Sequence, residues 1–269
     1  MKIILNKKNL IKIIKNKKKI GFVPTMGAIH RGHISLIKKS IKDCDMTIVS
    51  IFINKHQFNE ASDYKKYPRI VKKDIEILSK YNVDYVFIPN NKNIYPKGPN
   101  KNIKINNFSK KLCGKFRPGH FIAVVDVINK FLEIISPNYI YFGNKDMQQL
   151  IILKDFIKKK YNYIKVIGCK TVRERNGIAL SSRNILLTKK QKIIGSSIYH
   201  MILTNKKFLI RNPEKLKEIK KNILKIGANK IDYIEIVNTN KIINPHAKIN
   251  KYKIFIAYYL GKTRLIDNI

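Results

Sequence analysis

The chain has 269 residues and 44% of them are hydrophobic, enough to bury a core in one large domain or two modest ones. Its 56 Lys and Arg against 17 Asp and Glu give a formal charge of +39, which attracts any polyanion, but the lysines are dispersed rather than gathered in one tract, which argues against a specific nucleic-acid interface. No apolar run is long enough for a signal peptide or a bilayer span, and Cys44, Cys113 and Cys169 form no CxxC pair, so a reducing, cytoplasmic setting without a membrane partner is expected.

Residues 8–17 read as a basic amphipathic helix packed by its Ile and Leu side chains. Residues 20–40, IGFVPTMGAIHRGHISLIKKS, follow. Positions 20–23 read as a buried strand that Pro24 should end, because proline cannot donate to a ladder. Gly27 and Gly32 permit tight turns or close approach by a ligand. The spacing of Ile34, Leu36, Ile37 and Ile41 predicts a helix from about His33. Strand, glycine turn and helix N-terminus together predict a phosphate site, since unpaired N–H groups and the helix dipole point outward there. His30 and His33 can share one side of the first helical turn, where an imidazole donates to phosphate or titrates near neutral pH. The plainer alternatives are two surface histidines or half of a zinc site.

Residues 46–53 are continuously apolar, as in a strand covered on both faces, and end in the polar loop 54–58. A helix over 70–81, a strand over 83–88 and an irregular stretch over 90–107 follow. Next come a helix over 121–135, a strand over 138–142, a helix over 147–161 and a strand over 164–168. This alternation predicts an α/β, Rossmann-like N-terminal domain with a parallel sheet. Ligands of such sheets collect beyond the carboxyl ends of the strands. The loops 25–33, 54–58 and 142–149 each follow a strand and should converge on one edge. After Cys169 the pattern changes to a polar, turn-rich stretch, helices over 189–208 and 213–226, and two antiparallel strands over 231–237 and 252–259. A smaller C-terminal α/β lid domain is expected there, dividing the chain into 1–169 and 170–269.

Several residues carry chemistry suited to a nucleotide. Ser181, Ser182 and Arg183 offer two hydroxyls and a guanidinium that suits phosphate, or else a capped surface turn. Lys145 can neutralise phosphate charge, and Asp146 can accept from ribose hydroxyls or orient a magnesium-bound water; the alternative is an exposed ion pair worth little. Gln57 and Gln149 both donate and accept, which suits a substrate with hydroxyl and carboxylate groups. Gln148 competes with Gln149, since a helix turns only one of two neighbours toward the site. Arg117 and His120, in RPGH, add donors or simply open a helix. There is no Ser/His/Asp triad and no carboxylate pair. A site rich in donors and cations and poor in bases fits charge stabilisation on a triphosphate better than proton abstraction.

PTMGAIHRGHISL is followed in order by VSIFINKHQF, YPR, FRPGHF, FGNKDMQQL, VRERNGIALSSRN and a terminal LGKTRLIDN. This series resembles the pantothenate synthetase (pantoate–β-alanine ligase) family of the HIGH-type nucleotidyltransferase superfamily over almost the whole chain. The resemblance implies ATP-dependent condensation of pantoate with β-alanine through a pantoyl-adenylate, releasing AMP and pyrophosphate. It also implies a homodimer joined through the N-terminal domain. Carried onto this chain, it has Met26, Gly27, Ala28, Ile29, His30, Arg31, Gly32 and His33 contact ATP. His33 is then the proton donor, His30 its partner and Lys145 the third catalytic group. Gly143, Asn144, Lys145, Asp146, Val172, Leu180, Ser181, Ser182 and Arg183 complete the ATP site, with magnesium as cofactor. Gln57 and Gln149 hold pantoate, Gln57 also lies near β-alanine, and Asn54, Arg117 and His120 join the substrate-binding group.

The chain departs from the family pattern in places. Asn144 stands where the family has an acidic residue, and Lys55-His56 replace a proline-bearing pair. Lys170 replaces a proline, and Ala123 and Asp126 replace Gly and Thr. None removes a group assigned to chemistry. Two other readings stay open on sequence alone: a different HxGH nucleotidyltransferase, although no KMSKS string is present, and a basic nucleic-acid-binding protein.

Overall fold

The computed structural model describes residues 1–15 and 19–269. The first helix, Lys7–Ile14, matches the expected one, whose end at 16–17 lies outside the described residues. The main sheet contains β1 (Lys2–Ile4), β2 (Ile20–Thr25), β3 (Met46–Ile51), β4 (Tyr85–Phe87), β5 (Tyr139–Gly143) and β6 (Lys165–Cys169). Their order is β1-β4-β3-β2-β5-β6, and every neighbouring pair is parallel. From β2 the chain builds outward through β3 and β4, then returns to lay β5 and β6 on the other side. The reversal falls between β2 and β5, where a doubly wound sheet opens its crevice.

Side-chain alternation explains why both faces are covered. Phe22, Ile48, Phe87 and Ile140 point to one face, under the helices His120–Ile135 and Met147–Lys160. Val23, Val49, Val86 and Tyr141 point to the other, where Ile34, Ile37 and Leu78 meet them from the helices Arg31–Asp43 and Val71–Ser79.

Pro24 does not end β2. It pairs in register with Ser50, and the strand runs on to Thr25. The carbonyls of Lys19 and Thr25 accept from Met46 and Phe52 of the β3 side, whereas Ile20 accepts from Asn138 on the β5 side. Pro24 shares the parity of Ile20, so its missing N–H faces β5, whose pairing with β2 has stopped at Phe22–Ile140. The proline therefore removes no ladder bond and lines the crevice instead.

The second sheet is antiparallel, with β7 (Lys230–Asn238), β8 (Tyr252–Leu260) and β9 (Thr263–Asn268) in that order. Only β7 and β8 are expected from sequence. In TRLIDN, charged and apolar residues follow without alternation, and the Gly261 turn at φ 58 folds β9 back onto β8. Helices Lys189–Arg211 and Leu216–Lys225 accompany this sheet. Its Tyr233, Phe255 and Ala257 join the apolar cluster under the main sheet. Two short elements, β1 and the helix Ala61–Lys66, also escape the sequence pattern. Asp126 is buried in the helix after RPGH, where its carboxylate accepts from the Asn100 N–H at 2.9 Å and pins the irregular 90–107 stretch. Among the described residues, no helix is long and apolar enough to cross a membrane.

Candidate active site

A cleft of about 830 Å³ opens at the β2–β5 reversal. Three strand-end loops reach it: Met26, His30, Gly32 and His33 after β2, Asn54 and Gln57 after β3, and Gly143, Lys145, Asp146 and Gln149 after β5. Val172, Leu180, Ser181, Ser182 and Arg183 line it from the segment that precedes the second sheet. The expected convergence is therefore present.

The helix after β2 begins at Arg31, earlier than predicted, because His30 itself is the N-cap. The Gly32 N–H donates to His30 Nδ1 at 3.1 Å, and the His30 N–H donates to His33 Nδ1 at 3.3 Å. The two rings stack with centroids 4.0 Å apart. Both Nδ1 atoms act as acceptors, so each neutral ring carries its proton on Nε2, available as a donor to the cleft. Burial first, then the Lys145 charge, lowers His30 from 6.5 to about 4. Burial, then His30 and Lys145, holds His33 well below 6.5. The imidazoles are thus uncharged donors at neutral pH. Gly32 serves this arrangement, since a Cβ there would sit 2.8 Å from His30 Cε1.

Several of the backbone N–H groups expected to be free at this turn are already bonded within the protein. Gly27 donates to Thr25 Oγ1 at 3.1 Å, and Ala28 and Ile29 donate to the Asp74 carboxylate at 2.9 and 2.7 Å. The His30 and Gly32 N–H groups are taken by the imidazoles, so five backbone donors of the turn are already bonded and the two Nε2–H groups add side-chain donors for a ligand. Gly27, Ala28 and Ile29 are buried under the cleft and do not line it. Arg31 is exposed and faces outward beside Glu174 and Arg175. Asn144 turns toward Gly168, away from the cleft. These five residues are thus outside the cleft lining.

The neighbouring glutamines have opposite fates. Gln148 is buried; its Oε1 accepts from the Cys113 N–H at 3.1 Å, and its Nε2 donates to the Phe108 and Lys111 carbonyls at 2.9 and 2.7 Å. Gln149 is half-buried in the cleft lining with its carboxamide uncommitted among the described residues. The Gln57 carboxamide makes only a 2.8 Å contact with Met26 Sδ and a long 3.4 Å one with Asn54.

Asn54, Arg117 and His120, expected in the substrate-binding group, line the cleft and are also bonded to the protein around it. Asn54 is 1% exposed, and its carboxamide is spent on the Ala123 carbonyl, the His56 N–H and the Tyr95 hydroxyl. Arg117 Nη2 and His120 Nδ1 both donate to the Gln57 carbonyl, at 2.9 and 2.8 Å, while His120 Nε2 accepts from Arg117 at 3.1 Å. They clasp the loop that carries Gln57. Burial and the nearby charge of Arg183 pull Arg117 down to about 10, so these cations would be relieved by a bound anion.

Lys145 pairs with Asp146 at 2.9 Å. Arg183 donates to Asp63 at 2.8 Å and lies over the Tyr67 ring at 5.6 Å. Ser181 accepts from the Arg183 N–H, capping the turn Ser182–Leu186. Sequence reading missed Asp63, Tyr67 and Asp74. Asp74 had a signal: an acid three residues after Val71 and four before Leu78, on the apolar stripe of its helix. Among the described residues no group of three or more His, Cys, Asp or Glu side chains could hold a metal. The cleft lining holds four carboxylates, Glu60, Asp63, Asp146 and Asp267, of which Asp63, Asp146 and Asp267 are paired with Arg183, Lys145 and Arg173, so a magnesium ion would need oxygen ligands from its substrate as well.

Comparison with known proteins agrees with this geometry. A family model described as Pantoate-beta-alanine ligase matches residues 2–269. A pantothenate synthetase of Endomicrobium trichonymphae is 44% identical over 277 residues, covering 100% of this chain and 97% of that relative. One from Sulfurihydrogenibium sp. is 40% identical, covering 97% and 95%. The solved Francisella tularensis pantoate-beta-alanine ligase, complexed with beta-gamma ATP and beta-alanine, superposes with a TM-score of 0.83 at 40% identity, covering 100% and 97%. The Thermus thermophilus pantothenate synthetase superposes with a TM-score of 0.91 at 28% identity, covering 100% and 99%. The chain belongs to the pantoate-beta-alanine ligase family.

Proposed function

We propose that this chain condenses pantoate with β-alanine, converting ATP to AMP and pyrophosphate. The observation that carries this reading is the meeting of the neutral His30–His33 pair, Lys145 and the uncommitted Gln149 in one cleft at the sheet reversal. In the first step the pantoate carboxylate attacks the α-phosphorus in line and pyrophosphate leaves. Lys145, Ser182 and Arg183 receive the developing charge, and the two Nε2–H groups add hydrogen bonds. Arg183 exchanges Asp63 for phosphate as it does so. Magnesium, bound with the triphosphate, would supply further charge neutralisation, with Asp146 ordering its water. In the second step the β-alanine amine attacks the acyl carbon of the mixed anhydride, AMP leaves, and the ammonium proton goes to solvent. Gln57 and Gln149 hold pantoate through both steps. Holding the reactants together can contribute roughly 7–11 kcal/mol by orientation.

We further read residues 1–169 and 170–269 as two domains, the second covering the nucleotide as a lid. Val172 and Leu180–Arg183 reach the cleft from that side, which supports this assignment. Pairing of two copies through the first domain and a cytoplasmic location complete the reading, which assigns no nucleic-acid partner. Incubation with ATP, magnesium, pantoate and β-alanine tests it. Equal amounts of AMP, pyrophosphate and pantothenate are expected. Turnover only with CTP or tRNA, or salt-sensitive nucleic-acid binding without AMP, would replace it.

A further inference from the structure

The terminal LGKTRLIDN has no part in the reaction as written. Its last residues form β9, an edge strand of the small sheet. Asn268 is 3% exposed, and its carboxamide leaves that sheet for the other one. Nδ2 donates to the Asn144 carbonyl at 2.8 Å and to the Lys145 carbonyl at 2.7 Å. These carbonyls belong to the short turn Asn144–Asp146, which follows β5 and delivers Lys145 to the cleft. Both protons of one nitrogen thus hold two successive peptide planes, and those planes set the direction in which the lysine side chain departs.

The choice of asparagine fits this task. A backbone N–H brings one donor and a carboxylate none. Asn268 Oδ1 is itself buried without a partner among the described residues. Filling that space for stability alone favours an apolar side chain, so an orphaned acceptor is accepted for the sake of two donors. The adjacent Asp267 grips Arg173 with contacts of 2.6 and 2.9 Å, fixing β9 to the segment that supplies Val172 and Leu180.

The geometry points to Asn268 as a positioning residue for Lys145: it locks the lysine turn to the small sheet, so that the placement of one sets the placement of the other. This rests on the reading of Lys145 as a phosphate-binding group. The test uses the full chain carrying Asn268→Leu or Asn268→Asp, with folding checked by circular dichroism. ATP affinity by calorimetry and AMP release against ATP and β-alanine concentrations are then measured. Asn268→Leu should lower kcat/KM for ATP by about 10²-fold, the loss typical of a displaced reacting group, and weaken ATP binding, with the KM for β-alanine unchanged. Asn268→Asp, nearly isosteric, decides the matter if the leucine variant does not fold. Its activity relative to wild type should climb as pH falls, since a protonated carboxyl regains one donor.

Ile254→Ala is the stability control, being fully buried in the small-sheet core and absent from the cleft. It should lower Tm and leave kcat/KM for ATP alone. A folded Asn268→Leu protein with wild-type ATP parameters overturns the inference, as does an equal kinetic loss in Ile254→Ala. A wild-type chain that binds ATP but forms no AMP refutes the reaction instead, and the affinity loss in Asn268→Leu then still upholds this role.

Discussion

Adjacent glutamines on one helix give the sharpest contrast between holding the fold and holding a substrate. Gln148→Ala removes three buried hydrogen bonds, at 3.1, 2.9 and 2.7 Å, and strands the Cys113 N–H and two carbonyls. At about 1 kcal/mol for each bond, with partial rehydration of the stranded groups, the loss is about 2–4 kcal/mol. For a chain of this size that lowers Tm by about 5–12 °C. Gln149→Ala breaks no protein hydrogen bond, so its stability should stay within about 0.5 kcal/mol of wild type. Its pantoate KM should rise about 10-fold, the equivalent of one hydrogen bond near 1.4 kcal/mol. Calorimetry gives the Tm values, and AMP release against pantoate concentration, well below either transition, gives the kinetics. A Tm loss in Gln149→Ala matching that in Gln148→Ala, or an unchanged pantoate KM in Gln149→Ala, refutes the division of labour.

Asp74→Ala should cost about 2–4 kcal/mol, because two buried amides lose their acceptor, and should weaken ATP use through the turn below His30. Asp74→Asn, which keeps one acceptor oxygen, should lose less in both readouts. The depressed His30 value makes stability pH-dependent. Between 6.5 and about 4 the unfolded chain binds a proton that the folded chain refuses, so this stabilisation is complete above 6.5 and drains away as pH falls. The span is worth roughly 3 kcal/mol, and Tm against pH should be flatter for His30→Asn, which keeps an N-cap acceptor without titrating; parallel curves contradict it. Lys145→Ala or His33→Ala should lower kcat about 10²–10³-fold, and near-native pyrophosphate exchange in either would remove that residue from the mechanism.

Much of the fold was legible because it rests on local periodicity. The apolar run at 46–53 and the spacing in the helices named the layers, and loops after strands named the edge where ligands collect. Pro24 misled because its effect depends on which neighbour its nitrogen faces, a property of strand order rather than of the residue. His30, His33, Lys145 and Gln149, whose chemistry is in the side chain, do line the cleft. Gly27, Ala28, Ile29, Arg31 and Asn144, which the family resemblance places among the ATP contacts, are not in the cleft lining. Asp74, Asn54, Arg117 and His120 act on other loops' backbones across 45 to 69 residues, and no short-range pattern records such a partner. Asn268 is the extreme case, 123 residues from the lysine it addresses.

The central claim is that one cleft builds an acyl-adenylate and then lets an amine open it. Pantoate labelled with oxygen-18 in its carboxylate, turned over with ATP, magnesium and β-alanine, tests this directly. In-line attack on the α-phosphorus predicts one labelled oxygen in the AMP phosphate and none in pyrophosphate. Label in pyrophosphate or orthophosphate, or unlabelled AMP, contradicts it.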